Sequence, residues 1–396
     1  MREIRFKKTD AGIIPEAWEI VSLNDLFDFG NGYTPSKAIA AFWNNGSIPW
    51  FRVEDIRNNG NVLNDSIQHI SPLAVKGELF PAYSFIMSTS ATVGEYAYIT
   101  VPYLANQRFV CLIKKADAYD VLDDSYFLCL CESLGQWCRE NCDQGSSFAS
   151  VNMPSFRNHL IPLPPLAEQR KIAKALRDID CLISSLTKLI EKKQYVKAAA
   201  MQQLLTGKKR LNGFTEQWAE KEIGEIIKIS KGQSLQSKNF VNGNVPVVAG
   251  GQSYAGFHNF ANHSETSVTI SASGAYAGYV WLHEYPIFAS DCSVIEGNED
   301  VDIHFLYHVL KLKQNEIYKA QTGGAQPHIH PKDVEPIKIV LPYKDGKPFI
   351  DEQIAIANIL TDMDKDVAAL EQKLAKYEAI KKGMMQELLT GKIRLV

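Results

Sequence analysis

Two histidines, His328 and His330, stand on either side of Ile329 and beside Pro327 and Pro331. Such a pair can act as a general base and its partner, but the sequence sets no nucleophile or acid beside them. Cys129, Cys131, Cys138 and Cys142 cluster closely enough to raise zinc. They contain no C-x-x-C pair, and Phe127, Cys131, Leu134 and Cys138 share one face at helical spacing, so core thiols are expected there rather than a metal site. With Cys111, Cys181 and Cys292 the cysteines number seven, an odd count that reads as reduced thiols in a cytoplasm. Glu371-Gln372-Lys373 matches half of a nuclease motif but falls in a helical heptad pattern, as a solvated face would. The P-loop pattern, H-E-x-x-H, a glycine-rich cofactor loop after a strand and Asn/Asp-Pro-Pro-Tyr are all missing. No catalytic residue, no metal and no cofactor of its own are expected, and the chain reads as a binding protein.

The elements that would carry such binding announce themselves as a repeat. Glu168-Gln169 returns as Glu352-Gln353, Asp178-Ile179-Asp180 as Asp362-Met363-Asp364, and Leu204-Leu205-Thr206-Gly207-Lys208 as Leu388-Leu389-Thr390-Gly391-Lys392, always 184 residues later. Apolar residues in the first copy fall at Ile172, Leu176, Ile179, Ile183, Leu186 and Ile190; in the second they fall at Ile356, Leu360, Met363, Val367, Leu370 and Leu374. Steps of four and three residues are the rhythm of a coiled-coil seam. Each copy predicts one long helix ended by glycine, the first over 166–207 and the second, with a tail, over 351–396. A helix of about 40 residues is roughly 60 Å long, too long for an ordinary globular core. Two seams in matching register are best satisfied by packing on each other, antiparallel. Gly383 should weaken the second helix locally.

The chain has 396 residues, 45% hydrophobic and 22% charged, with a net charge of −3. No apolar run approaches the ~20 residues of a membrane span. The charged start Met1-Arg2-Glu3-Ile4-Arg5 lacks the apolar core of a secretory signal, so a cytoplasmic location is expected. Charge is unevenly spread: residues 166–211 hold 11 Lys/Arg against 4 Asp/Glu. A basic rod of this kind could track a phosphate backbone.

The stretches 1–165 and 208–350 read as two copies of one mixed α/β plan. Each has a tryptophan in a short strand-like opening (Trp18, Trp218) and then a glycine-bearing turn. A proline-led buried strand follows (Ile48-Pro49-Trp50-Phe51, Val245-Pro246-Val247-Val248), then a strand from Ser84 or Ser267, and then a helix near 125–142 or 302–318. Glycine-rich turns, Gly145-Ser146-Ser147 and Gly323-Gly324-Ala325, come next. Gly30, Gly94, Gly274 and Gly323 are expected at turn positions with positive φ.

Two such domains alternating with two repeated helices resemble the specificity subunit of type I restriction–modification systems. The resemblance rests most on Leu163-Pro164-Pro165-Leu166-Ala167-Glu168-Gln169-Arg170-Lys171-Ile172-Ala173 and on the two Leu-Leu-Thr-Gly-Lys closures. It covers nearly the whole chain, although the second copy has six extra residues before Glu352. It implies two unlike target recognition domains, separated by two conserved helices packed as an antiparallel coiled coil with an internal pseudo-two-fold. It further implies double-stranded DNA as ligand, read as a bipartite asymmetric site, with two methyltransferase and two restriction/translocase subunits as partners. S-adenosylmethionine, ATP and magnesium would belong to those partners. A coiled-coil scaffold that binds only proteins is the alternative. Base readers must be hydrogen-bonding side chains on loops or helix ends. In the first domain Tyr33, Thr34, Lys37, Arg52, Thr92, Asn106, Gln107 and Arg108 qualify; in the second, Gln233, Ser234, Lys238, Ser273, Tyr276, Gln326 and His328.

Overall fold

The computed structural model describes residues 5–9, 12–143, 149–323 and 326–396. The expected turns at Gly145-Ser146-Ser147 and Gly324-Ala325 lie outside the described residues. Two compact units form: Met1–Ser185 with Ala375–Val396, and Leu186–Leu374. Each holds one globular domain together with a part of both long helices, Leu166–Leu204 and Ile350–Leu388.

The first unit is built on a five-stranded sheet ordered Phe27–Asn31, Phe109–Lys114, Ser84–Ser88, Tyr96–Ile99, Val62–Leu63, antiparallel except for the last pair. Ser84–Ser88 is buried along its whole length, as a central strand covered on both faces must be. The helix Asp124–Glu140 covers one face with Tyr126, Phe127, Leu130, Cys131, Leu134 and Cys138. Cys131 and Cys138 are thus core residues, and Phe127 packs its ring 4.6 Å from Phe27 and 4.8 Å from Phe85. A smaller sheet pairs Leu104–Ala105 in parallel with Ile48–Phe51.

The second unit repeats the plan. Its main sheet runs Ile229–Lys231, Cys292–Glu296, Ser267–Ser271, Val280–His283, and its smaller sheet pairs Phe288–Ala289 in parallel with Val245–Val248. The single helix expected near 302–318 is two, Ile303–Leu312 and Gln314–Lys319. The Gln314 amide accepts from Val280 N at 3.1 Å and donates to Gly278 O at 2.7 Å, which ties the chain to the sheet where the axis breaks. The six extra residues extend the last strand, Lys338–Lys344, into a hairpin with Lys347–Pro348. Asp345 and Gly346 turn it, both at positive φ, as a tight two-residue hairpin requires.

Helix and domain share one core in each unit. In the first, Ile172, Ala173 and Leu176 join Trp18, Phe156, Leu388 and Leu389; in the second, Ile356, Ala357 and Leu360 join Met201, Leu204, Phe305 and Leu306. The helices run antiparallel within each unit. Asp180 pairs with Lys381 at 2.9 Å in the first; Lys193 pairs with Asp366 at 2.9 Å, and Lys197 with Asp364, in the second. Seam residues Ile179, Leu186, Ile190 and Val367 are buried, while Ile183, Met363, Leu370 and Leu374 are half-buried.

Candidate nucleic-acid interface

The Glu-Gln pair that opens each long helix fixes the domain above it. Gln169 accepts from Asp123 N at 2.9 Å and donates to Val121 O at 2.7 Å, and Asp123 caps the helix Asp124–Glu140. Gln353 does the same with Asp302 N at 3.1 Å and Asp300 O at 2.9 Å, and Asp302 caps Ile303–Leu312. All four Glu and Gln side chains are buried. Glu168 accepts from Arg394 through Nε at 2.5 Å and Nη2 at 2.6 Å; Glu352 accepts from Arg210 through Nε at 2.8 Å and Nη2 at 2.7 Å. A buried carboxylate demands such a bidentate partner. The repeat therefore encodes a joint that ties the start of each long helix to the residues capping its domain's own helix.

The loops that carry the candidate base readers share one backbone frame in the two domains. In the first domain Gly32 N donates to Phe109 O, Tyr33 N to Ala105 O, Asn106 N to Phe51 O and Thr89 N to Arg108 O. In the second, Gly232 N donates to Cys292 O, Gln233 N to Ala289 O, Ser290 N to Val248 O and Ala272 N to Asp291 O. Three loops thus meet at the same place on each domain. Gly32 and Gly232 have no room for a Cβ, which would lie within 2.3 Å of a carbonyl oxygen in each case.

In the first domain this place is a cavity of about 390 Å³ lined by Thr34, Lys37, Arg52, Asn106, Gln107 and Arg108, with Trp50 and Glu54. Six of the eight expected residues are therefore gathered. Asn106 Nδ2 donates to Thr34 Oγ1 at 3.1 Å, and Thr34 donates to Gln107 Oε1. Arg52 lies 3.1 Å from Glu54 and 5.8 Å from the Trp50 ring centroid. Tyr33 is engaged otherwise: its hydroxyl donates to Ala74 O at 2.9 Å and accepts from Lys76 N at 2.7 Å. Thr92 lines a separate depression with Arg57, Glu95 and Arg139.

In the second domain Ser273 bridges to His328 and donates to Asp291. Gln326, exposed, lies two residues before His328, and Tyr276 is exposed on the loop that follows Ser273. Gln233 and Ser234 are exposed on the loop held by Ala289, while Lys238 belongs to the turn Ser237–Asn239. The His328 and His330 rings stack with an 8° interplanar angle, and Asp333 accepts from His330 N at 2.8 Å, so His330 opens the short helix Pro331–Val334. Asp291, Trp50 and Glu54 escaped sequence reading. Asp291 occupies the place of Arg108, but its turn is one residue shorter, which hides the correspondence.

Two expectations need correction. Gly94, Gly274 and Gly323 have positive φ, but Gly30 lies in a regular strand. It is glycine because a Cβ there would come 2.3 Å from the Phe80 ring. The basic first helix is also less free than its charge suggests. Arg170, Lys174, Lys193 and Lys197 sit in ion pairs, two of them with the second helix, and Arg210, just beyond the helix end, pairs with Glu352.

The sequence profile described as the type I restriction modification DNA specificity domain matches residues 15–194 and again 215–381. The specificity subunit of the type I restriction enzyme EcoprrI from Escherichia coli is 36% identical over 368 residues, spanning 87% of each chain. The putative MjaX specificity subunit of Methanocaldococcus jannaschii is 28% identical over all of this chain and 98% of its own. Among solved structures, the type I restriction-modification S subunit from M. genitalium superposes with a TM-score of 0.65 at 18% identity, covering 94% of this chain and 96% of that one. The chain belongs to the type I restriction–modification specificity family. It is a specificity subunit, the component that recognises DNA sequence, and not one of the catalytic subunits.

Proposed function

We propose that this chain reads a bipartite, asymmetric DNA site, one half-site per globular domain, and directs two methyltransferase and two restriction/translocase subunits to it. The reading is supported above all by one contrast. The two domains share a joint and a loop frame, yet Thr34, Asn106, Gln107 and Arg108 face the cavity in one while Gln233, Ser273, Ser290 and Asp291 stand at that place in the other. Equal frames with unlike side chains suit two unlike half-sites. Base edges in the major groove carry the code, and phosphate contacts fix the register.

The readers proposed are Thr34, Lys37, Arg52, Asn106, Gln107 and Arg108 in one domain and Gln233, Ser234, Lys238, Ser273, Tyr276, Gln326 and His328 in the other. The long helices act as the spacer, and domains on one face of B-DNA favour half-site centres about 34–36 Å apart. S-adenosylmethionine, ATP and magnesium belong to the partners, as does flipping the target adenine out of the stack. The complex works in the cytoplasm. Exchange of residues 1–165 for the first domain of another family member is expected to change one half-site in long-read maps of adenine methylation. A change in both half-sites overturns independent reading. A protein-only scaffold would show no DNA affinity, whereas a phosphate binder loses affinity steeply as salt rises.

A further inference from the structure

Arg108 and Asp291 occupy one position in the common frame. Each carbonyl accepts from the loop after the central strand, Thr89 N to Arg108 O at 2.9 Å and Ala272 N to Asp291 O at 3.1 Å. Each stands at the start of the strand next to that central strand, Phe109–Lys114 or Cys292–Glu296, and each side chain is exposed. Among the described residues neither is in an ion pair; the Asp291 carboxylate accepts only from the Ser273 hydroxyl, which leaves acceptor capacity free. One frame position therefore presents a five-donor cation in the first domain and an acceptor-only anion in the second.

On a surface that meets a polyanion, an uncompensated carboxylate weakens binding unless it accepts from a base. The major groove offers two exocyclic donors, N4 of cytosine and N6 of adenine. Adenine places its N7 acceptor beside N6, which repels a carboxylate; cytosine has no such neighbour. Guanidinium has the opposite preference and matches O6 and N7 of guanine with two parallel donors.

We propose that Arg108 and Asp291 are paired specificity determinants, Arg108 selecting a guanine in the first half-site and Asp291 a cytosine in the second. The inference rests on the reading of both domains as DNA readers given above. Asp291 so acts by touching the substrate, with Ser273 holding its carboxylate in place.

The test uses the full chain within its assembled methyltransferase and long-read mapping of methylated adenine. Arg108→Ala is expected to relax one G·C position of the first half-site and leave the second unchanged. Asp291→Ala should relax one C·G position of the second alone. Discrimination at the relaxed position should fall roughly ten- to a hundred-fold. Asp291→Asn keeps an acceptor for Ser273 but adds a donor suited to adenine N7, so that position should shift from cytosine toward adenine. An intact motif in Asp291→Asn and Asp291→Ala would mean that the carboxylate only caps Ser273, and the proposal is then wrong. A relaxed position that is A·T in the wild-type motif overturns it equally. The unaltered half-site in each variant reports that the protein is folded. If the wild-type chain shows no salt-dependent affinity for DNA carrying its own motif, the underlying reading fails instead.

Discussion

The two joints between domain and helix look alike and are wired differently. In the second unit Glu352 is met by Arg210, 142 residues earlier; in the first, Glu168 is met by Arg394, 226 residues later. Both arginines lie over a tryptophan, Arg210 5.8 Å from the Trp218 ring centroid and Arg394 5.7 Å from that of Trp18. Only the first joint is fully saturated. Trp18 Nε1 donates to Glu168 at 3.1 Å and Leu395 N adds a fourth donor at 3.3 Å, whereas the buried Trp218 Nε1 has no partner among the described residues. The two joints share the charged pair and differ in the hydrogen bonds around it.

The sharpest way to break the likeness is to remove the arginines. Arg394→Ala leaves Glu168 buried and uncompensated, and about 3–5 kcal/mol should be lost. Hydrogen exchange should accelerate in residues 12–185 while the second unit stays protected. Arg210→Ala should do the converse. Equal loss of protection in both units from either change would mean that the joints are not separate.

Acid should separate the units next. Burial lowers His283 and His308 of the second unit to about 4, in spite of Asp364 near His308, whose charge pulls the other way. Both stay neutral in the folded state while an unfolded histidine protonates near 6.5. Stability from each is present above about pH 6.5 and is lost as pH falls toward 4. At pH 5.5 that amounts to about 1 kcal/mol per histidine. The first unit has His159, also lowered by burial. Exchange measured from pH 7.5 to 5.5 should show the second unit weakening more.

The tryptophans test the missing hydrogen bond. Trp18→Phe should cost about 1.5 kcal/mol more than Trp218→Phe, because only the first loses a bond to a charged acceptor. Denaturant midpoints of the two variants measure the difference. The smallest effect belongs to the helices. Gly383 has the space and backbone angles for a side chain; Gly383→Ala should add about 1 kcal/mol, and Tm should rise.

The heptads and the 184-residue offset made the long helices and their pairing readable, because a seam repeated in register has few other uses. Glu168-Gln169 and Glu352-Gln353 were visible as a repeat, but their work was not. It depends on Arg394, Arg210 and the caps Asp123 and Asp302, which only folding brings near. Thr34, Asn106 and Arg108 were legible as polar loop residues, and their convergence follows from backbone hydrogen bonds that no spacing rule reveals. In sequence Tyr33 is a polar loop residue like its neighbours, yet its hydroxyl is taken up by Ala74 and Lys76.

The Glu168–Arg394 lock has a consequence in time. Residues 12–165 leave the ribosome first, but the cation that neutralises Glu168 is made 226 residues after it. At 5–20 residues per second that is a delay on the order of ten to forty-five seconds. Throughout it Glu168 is without its guanidinium partner and must stay hydrated, so this joint can close only after the second domain has been translated.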